Sequence, residues 1–112
     1  MFLGEEGDAA VADLIAAYTA YLEKERHSSA NTVSSYVRDV TQFAAYLHDA
    51  EDEELDQGEA AHIERYMAYM AGKGKSPASV ARSVASLKSF YSYLMGQGLV
   101  SSNPAKGVTP VR

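Results

Sequence analysis

The residues with the clearest chemical potential are basic and hydroxyl side chains in the C-terminal part of this 112-residue sequence. From Gly72 to Arg112 there are six basic residues and no acid. The six are Lys73, Lys75, Arg82, Lys88, Lys106 and Arg112. Small hydroxyl residues between them would let a helix approach a phosphate chain closely while Arg or Lys reaches a phosphate or a base edge. This combination is typical of a nucleic-acid contact surface, and an unspecific solvated face is the main alternative.

Acidic residues are concentrated elsewhere, so the net charge is a poor guide to the partner. The formal net charge is −5, with seven of the fifteen acids between Asp49 and Glu59 and four more between Glu5 and Asp13. The local field, rather than the sum of charges, decides whether a phosphate backbone can be approached. We expect the segment 49–59 to form a solvated loop that repels DNA from the wrong face.

Other reactive side chains lack an arrangement that supports catalysis or ligand binding. The eight tyrosines lie mostly on or beside apolar stripes, and no Arg–His constellation surrounds any of them, which favours packing roles. The three histidines lack metal-ligand spacing. The sequence "GKGKS" from Gly72 lacks the first glycine and the preceding strand of a phosphate-binding loop. We therefore expect no metal, no cofactor and no catalytic residue in this chain.

Apolar spacing predicts helix nearly throughout and no strand, so the expected fold class is all-α. Four helices are predicted at about 9–26, 29–48, 59–72 and 76–97. Asp8, Ser29 and Ser76 are candidate N-caps, and Pro77 suits the first position of the fourth helix. The predicted core consists of Val11, Leu14, Ile15, Tyr18, Leu22, Val33, Val37, Val40, Ala44, Leu47, Ile63, Tyr66, Met67, Met70, Val80, Val84, Leu87, Tyr91 and Leu94.

The second and fourth predicted helices repeat one pattern at a spacing of 47 residues, "SANTVSSYVRDVTQFAAYL" and "SPASVARSVASLKSFYSYL". They share the serine cap and the inward apolar face, as expected for two helices that pack into a core in the same way. At about 100° per residue, the outward faces carry different polar residues. These are Asn31, Thr32, Ser35, Arg38 and Gln42 on one helix, and Ala78, Ser79, Arg82, Ala85, Ser86 and Ser89, flanked by Lys88, on the other. Arg82 is expected to be an exposed cation whose replacement leaves stability nearly unchanged.

The last segment, "LVSSNPAKGVTPVR", predicts irregular structure because Pro104 and Pro110 forbid a continuous helix. We expect one domain over residues 1–98 and a linker over 99–112 toward a C-terminal domain. No apolar run approaches the roughly 20 residues that cross a bilayer, and the acidic N-terminus is unlike a secretory signal. The expected location is the cytoplasm, without membrane contact.

The stretches "NTVSSYVRDVTQFAAYL" and "GKSPASVARSVASLKSFYSYLMGQGLVSSNPA" resemble the N-terminal core-binding domain of tyrosine recombinases of the Xer and phage-integrase family. The resemblance extends over nearly the whole chain. It implies a SAM-like orthogonal four-helix bundle that forms half of a clamp on duplex DNA, with the second and fourth helices in the major groove. It also implies a following catalytic domain with a nucleophilic Tyr, and other protomers in a tetrameric synapse, whereas the isolated domain is expected to be monomeric.

The family's DNA contacts transfer to Thr32, Tyr36 and Arg38 on the second helix and to Ser76, Ser79, Arg82, Ser86 and Lys88 on the fourth. Lys88 stands where Arg is usual in such proteins, which favours a phosphate contact over a bidentate guanine contact. The complete predicted DNA-binding set is Thr32, Ser35, Tyr36, Arg38, Lys75, Ser76, Ser79, Arg82, Ser86, Lys88 and Ser89.

Two other functions remain open from the sequence. A helical transcription regulator would also carry a basic helix, but it would join two adjacent helices by a short turn, whereas a whole helix separates the two here. A helical protein-interaction domain of the SAM type would be indifferent to duplex DNA. Salt dependence of binding separates it from a DNA-binding module.

Overall fold

The computed structural model describes residues 3–109, with side chains from Val11 onward. It contains four α-helices: α1, Leu3–Lys24; α2, Ala30–Tyr46; α3, Ala60–Gly72; and α4, Pro77–Gly96. The described residues include no strand, and the predicted all-α four-helix fold is confirmed. The predicted cap at Asp8 is wrong, because α1 begins at Leu3 and includes Asp8. Pro110 and Arg112 lie outside the described residues.

The starts of α2 and α4 are built in the same way. Ser29 and Ser76 are the N-caps, and each hydroxyl oxygen accepts a hydrogen bond from a backbone N–H three residues later, at Thr32 and Ser79, over 3.2 Å. Pro77 follows in the first turn of α4, where its missing N–H costs no helical hydrogen bond. Both predicted caps are confirmed.

Helix α3 uses a different cap, which the sequence analysis did not anticipate. The Glu59 side chain accepts from the first turn, and the Nδ1 atom of His62 accepts the Glu59 backbone N–H at 2.9 Å. This reciprocal pair satisfies two amides that the helix itself leaves without partners. His62 is therefore a structural residue and is largely buried.

The core lies where α2 and α4 pack against each other and against α1 and α3. Residues 47 positions apart on α2 and α4 occupy matching core sites, as the repeat predicted. Val40 and Leu87, Phe43 and Phe90, and Leu47 and Leu94 are all completely buried. Tyr18 and Leu22 of α1 are also completely buried. Some predicted core residues are only partly buried against this cluster, namely Val11, Leu14, Ile15, Val37, Ala44 and Met67.

The acidic segment after α2 is more ordered than the solvated loop we expected. A wide π-type turn, Leu47–Glu51, ends at Asp52 in the left-handed conformation, and a 3₁₀ turn follows at Leu55–Gln57. Leu55 is buried and its carbonyl accepts a 2.6 Å hydrogen bond from the Tyr91 hydroxyl. An apolar anchor within the acidic run, rather than charge alone, fixes the path of this segment.

Residues 99–109 lie against the bundle rather than extending away from it. The Asn103 amide donates to the Lys88 carbonyl at 3.0 Å and to Ser92 at 3.2 Å, while Ala105 and Val108 are buried. A linker toward a second domain stays a prediction. If one exists, its first part is packed on α4.

Candidate nucleic-acid interface

Helices α2 and α4 are joined by a buried ionic contact centred on Asp39. The Asp39 side chain is 0% exposed. Arg82 donates to it through Nε at 3.2 Å and through Nη2 at 3.1 Å, and the Ser86 hydroxyl donates at 2.7 Å. A buried carboxylate needs such donors, because an unpaired charge in the interior is costly.

This contact corrects the predicted environment of two site residues. Ser86 was expected on the outward face, yet it is completely buried and faces α2. Arg82 was expected as an exposed cation, and its side chain is 46% exposed, but its guanidinium is also paired with Asp39. The hydrogen bond and the charge of Asp39 raise the pKa of Arg82. The exposed side of α4 is therefore centred closer to Ala81 than the sequence predicted.

The exposed surface of α4 beside Arg82 is smooth. Ala78, Ala81 and Ala85 are all exposed and share this side of the helix with Arg82. Lys75 precedes the helix and is also exposed, whereas Lys88 is half-buried. A surface of small side chains with cations at its edges is compatible with close approach to a flat or grooved polymer.

Helix α2 contributes the other half of this surface. Arg38, adjacent to the buried Asp39, is exposed, and Gln42 is exposed one turn later. We call the exposed set Arg38, Gln42, Lys75, Ala78, Ala81, Arg82 and Ala85 the α2–α4 face. Gln42 and Lys75 also line an open groove of about 520 Å³ that contains Tyr69 and Lys73. The Lys73 ammonium lies 5.5 Å from the centre of the Tyr69 ring.

The remaining predicted site residues are partly engaged within the protein. Thr32 and Ser79 are half-buried and bond to the capping serines, while Ser35 and Tyr36 are half-buried on α2. Ser76 is exposed but is used as the cap of α4. Ser89 accepts from the Tyr18 hydroxyl at 2.8 Å and lies 3.5 Å from Nη1 of Arg26.

Two residues of this region were missed in the sequence analysis. Arg26, two residues after the end of α1, contacts α4 through Ser89. Asp39 carried a detectable signal, since it is the only acid in the sequences of α2 and α4 and lies three residues after Tyr36 and four before Phe43. That spacing places it toward the packed side of α2.

Residues 15–98 match the phage integrase, N-terminal SAM-like domain, in a comparison with known protein families. The chain belongs to this family. Similar proteins include Tyrosine recombinase XerD of Listeria monocytogenes, 44% identical over 94 residues, and Tyrosine recombinase XerC of Myxococcus xanthus, 40% identical over 93 residues. These alignments cover 82% and 83% of the chain, but it spans only 31% of each relative's length. No solved structure matches the chain significantly.

Four tyrosines of this integrase-type SAM-like domain are packed within the protein and are hard to ionise. Burial raises the pKa of Tyr18, Tyr46 and Tyr66 to about 12 and also raises that of Tyr91. Tyr46 donates to Glu51 at 2.6 Å, and Tyr91 donates to a backbone carbonyl. An activated nucleophile requires the opposite shift, toward easier deprotonation.

The described part of this SAM-like domain shows no other chemical centre. Among the side chains described, those of residues 11–109, no cluster of three His, Asp or Glu residues is arranged to hold a metal ion. None of the helices there is sufficiently long and apolar to pass through a bilayer. The α2–α4 face is thus the feature of the described chain that most resembles a binding site.

Proposed function

We propose that this chain binds duplex DNA through the α2–α4 face, as the N-terminal module of a site-specific tyrosine recombinase. The observation that carries the proposal is the distribution of charge on α2 and α4. Their only acid, Asp39, is buried and paired, whereas Arg38 and Arg82 are exposed to solvent at least in part. A phosphate backbone approaching this face meets cations and small side chains without an exposed carboxylate on either helix.

The acidic residues support the same orientation. Most of the exposed acids lie in the segment 49–59 and on α1, and α4 carries none, although Asp49 lines the groove that contains Lys73 and Lys75. A duplex would be repelled from those surfaces and attracted to the α2–α4 face. The net charge of −5 therefore does not oppose binding at this face, because neither α2 nor α4 carries an exposed acid.

Titration of the 112-residue chain with a labelled random duplex at 50 and 200 mM salt tests this proposal. For about three phosphate contacts, affinity is expected to fall roughly 40-fold over that range, because bound counterions are released. Arg38→Glu is expected to weaken binding at least tenfold by loss of a cation and added repulsion. Lys24→Glu makes the same charge change on α1 and serves as the matched control. Binding that ignores salt, or equal losses in both variants, contradicts the proposal.

Strand breakage and rejoining would belong to a separate catalytic domain of a longer protein, and several protomers would assemble on the DNA. This part of the proposal draws on the names of the relatives and on their greater length. Because burial makes Tyr18, Tyr46, Tyr66 and Tyr91 hard to ionise, the 112-residue chain is expected to form no covalent adduct with a nicked duplex. A shifted protein band on a denaturing gel would overturn that expectation.

A further inference from the structure

The Arg82 guanidinium is held along one edge only. Its Nε and Nη2 atoms donate to the two oxygens of Asp39. A guanidinium has five N–H donors in a rigid plane, so donors on Nη1 and Nη2 remain for another acceptor. Nearly half of the side chain is exposed, and the described residues provide no acceptor bonded to Nη1.

The partner that holds Arg82 is itself fixed. The Asp39 carboxylate is fully buried, and Ser86 donates to it from the same helix that carries Arg82. The Ser86 hydroxyl also lies 3.1 Å from the Arg82 carbonyl, which fixes the serine against its own helix. Arg82 is therefore restrained in orientation as well as in position.

The ion pair also changes what Arg82 can contribute electrostatically. The negative charge of Asp39 offsets part of the guanidinium charge, so the long-range attraction of Arg82 to a phosphate is weaker than that of the exposed Arg38. The fixed planar fork is instead suited to a planar pair of acceptors at a defined place. In the major groove, the O6 and N7 atoms of guanine form such a pair.

We propose that Asp39 is a positioning residue that orients Arg82 to recognise guanine and suppresses its non-specific attraction to the DNA backbone, with Ser86 bracing the carboxylate. This inference rests on the proposed function. In this proposal, the Asp39–Arg82 contact determines the preference for particular bases. Cations such as Arg38 and Lys75 provide the affinity for DNA of any sequence. Arg82 then differs from those residues in being restrained by a buried partner.

The test compares two duplex probes for each variant of the 112-residue chain. One probe is enriched by the wild-type chain from a random duplex library, and the other is a scrambled duplex of equal composition. The preference ratio between them and the salt slope on the scrambled probe are both measured. The preference ratio reports orientation of Arg82, whereas a loss of folded protein would weaken both probes together without steepening the slope.

Asp39→Asn removes the neutralising charge with little change in shape. We expect scrambled-probe affinity to rise, the salt slope to steepen by about one phosphate equivalent, and the preference ratio to fall about tenfold. Glu54→Gln makes the same charge change at an exposed site and should leave the preference ratio unchanged. If Asp39→Asn behaves like Glu54→Gln, the inference is wrong.

Arg82→Lys provides an independent test if Asp39→Asn does not fold. It keeps the charge but removes the planar fork, so the preference ratio should fall about tenfold, and Arg38→Lys should not have this effect. An unchanged ratio in Arg82→Lys overturns the inference. A wild-type chain that binds duplex without base preference also overturns it and leaves the proposed function intact, whereas failure to bind any duplex defeats both.

Discussion

At the scale of single residues, Asp39 links the stability of the bundle to the composition of its surface. Its carboxylate lies between α2 and α4 with no exposure, and its ionic partner Arg82 lies partly on the surface. Charged groups inside a protein are tolerated when they are paired and hydrogen-bonded, and removal of one partner leaves the other at a high cost. Changes on the proposed DNA-binding face can therefore affect folding.

Arg82→Glu is expected to lower the free energy of unfolding by about 3 kcal/mol, because it leaves Asp39 buried beside a second carboxylate. Urea denaturation followed by circular dichroism measures the change. Arg38→Glu, next to Asp39 in sequence but exposed, should alter stability by less than about 0.5 kcal/mol. Equal stability of the two variants would show that the ion pair contributes nothing to folding.

Glu51 should make stability depend on pH in the acid range. Hydrogen bonds from Arg65 and then from Tyr46 lower its pKa from 4.5 to about 2 in the folded state. The folded state thus binds the proton less readily than the unfolded state, so the stabilisation is present above about pH 4.5 and is lost as the pH falls toward 2. Melting temperatures between pH 6 and 2 test this.

Glu51→Gln is the comparison for that experiment, since glutamine cannot titrate but can still accept from Tyr46. The decline in melting temperature between about pH 4.5 and 2 should be shallower in the variant than in the wild type. Parallel curves would mean that Glu51 does not contribute to the acid sensitivity. Glu54→Gln, at an exposed carboxylate, controls for the change in net charge.

The limits of sequence-based prediction at this scale are visible in Ser86 and Arg82. Helical periodicity separates inward from outward positions of one helix, but it does not specify which neighbouring helix covers each flank. The hydroxyl of Ser86 is polar, so it was assigned to the surface, whereas the structure pairs it with a buried carboxylate on α2. Arg38 has no such partner across the interface and is exposed as expected.

At the scale of elements, the repeated design of α2 and α4 has a physical explanation. Each starts at a serine cap and then places matched apolar residues into one shared core, so most of the matched apolar positions are buried on both helices. Caps, proline and apolar spacing are local signals, which is why the helices were predicted to within a few residues. The start of α1 was the largest error, because Asp8 resembled a cap although the helix begins earlier.

Ser76→Ala should destabilise the domain by about 1 kcal/mol, because the first turn of α4 loses the acceptor for the Ser79 N–H. Thermal or urea unfolding without DNA provides the measurement. Ser101→Ala, at an exposed position of the tail, should change stability by less than about 0.5 kcal/mol. A loss as large in Ser101→Ala would show that the cap is not the cause.

At the scale of the whole molecule, charge and chain path are both organised around α4. Its outward side carries small and basic residues, and the tail packs elsewhere on the same helix through Asn103. The packing of residues 99–109 was not predicted, because two prolines and few apolar residues indicated only irregular structure. A segment without regular secondary structure can still pack closely when one amide side chain forms hydrogen bonds with polar groups of both the helix and the tail.

Asn103→Ala should release the tail, since the side chain bonds to Lys88, Ser92 and Ala105. Loss of these bonds is expected to cost about 1–2 kcal/mol and to speed amide hydrogen exchange in residues 99–108. Asn31→Ala, at an exposed position of α2, is the matched control. Unchanged exchange in the tail would contradict the predicted role of Asn103.

The packed tail also limits the length of flexible linker between this bundle and any domain attached after it. The family match ends at Gly98, but Val108 is still buried against the domain. About ten residues therefore cannot act as flexible linker. At about 3.5 Å per extended residue, this shortens the maximum distance between the bundle and an attached domain by roughly 35 Å. A shorter flexible linker confines an attached domain to a smaller volume and raises its effective concentration near the bundle. Loss of the Asn103 hydrogen bonds would lengthen the flexible linker without altering any residue of the α2–α4 face.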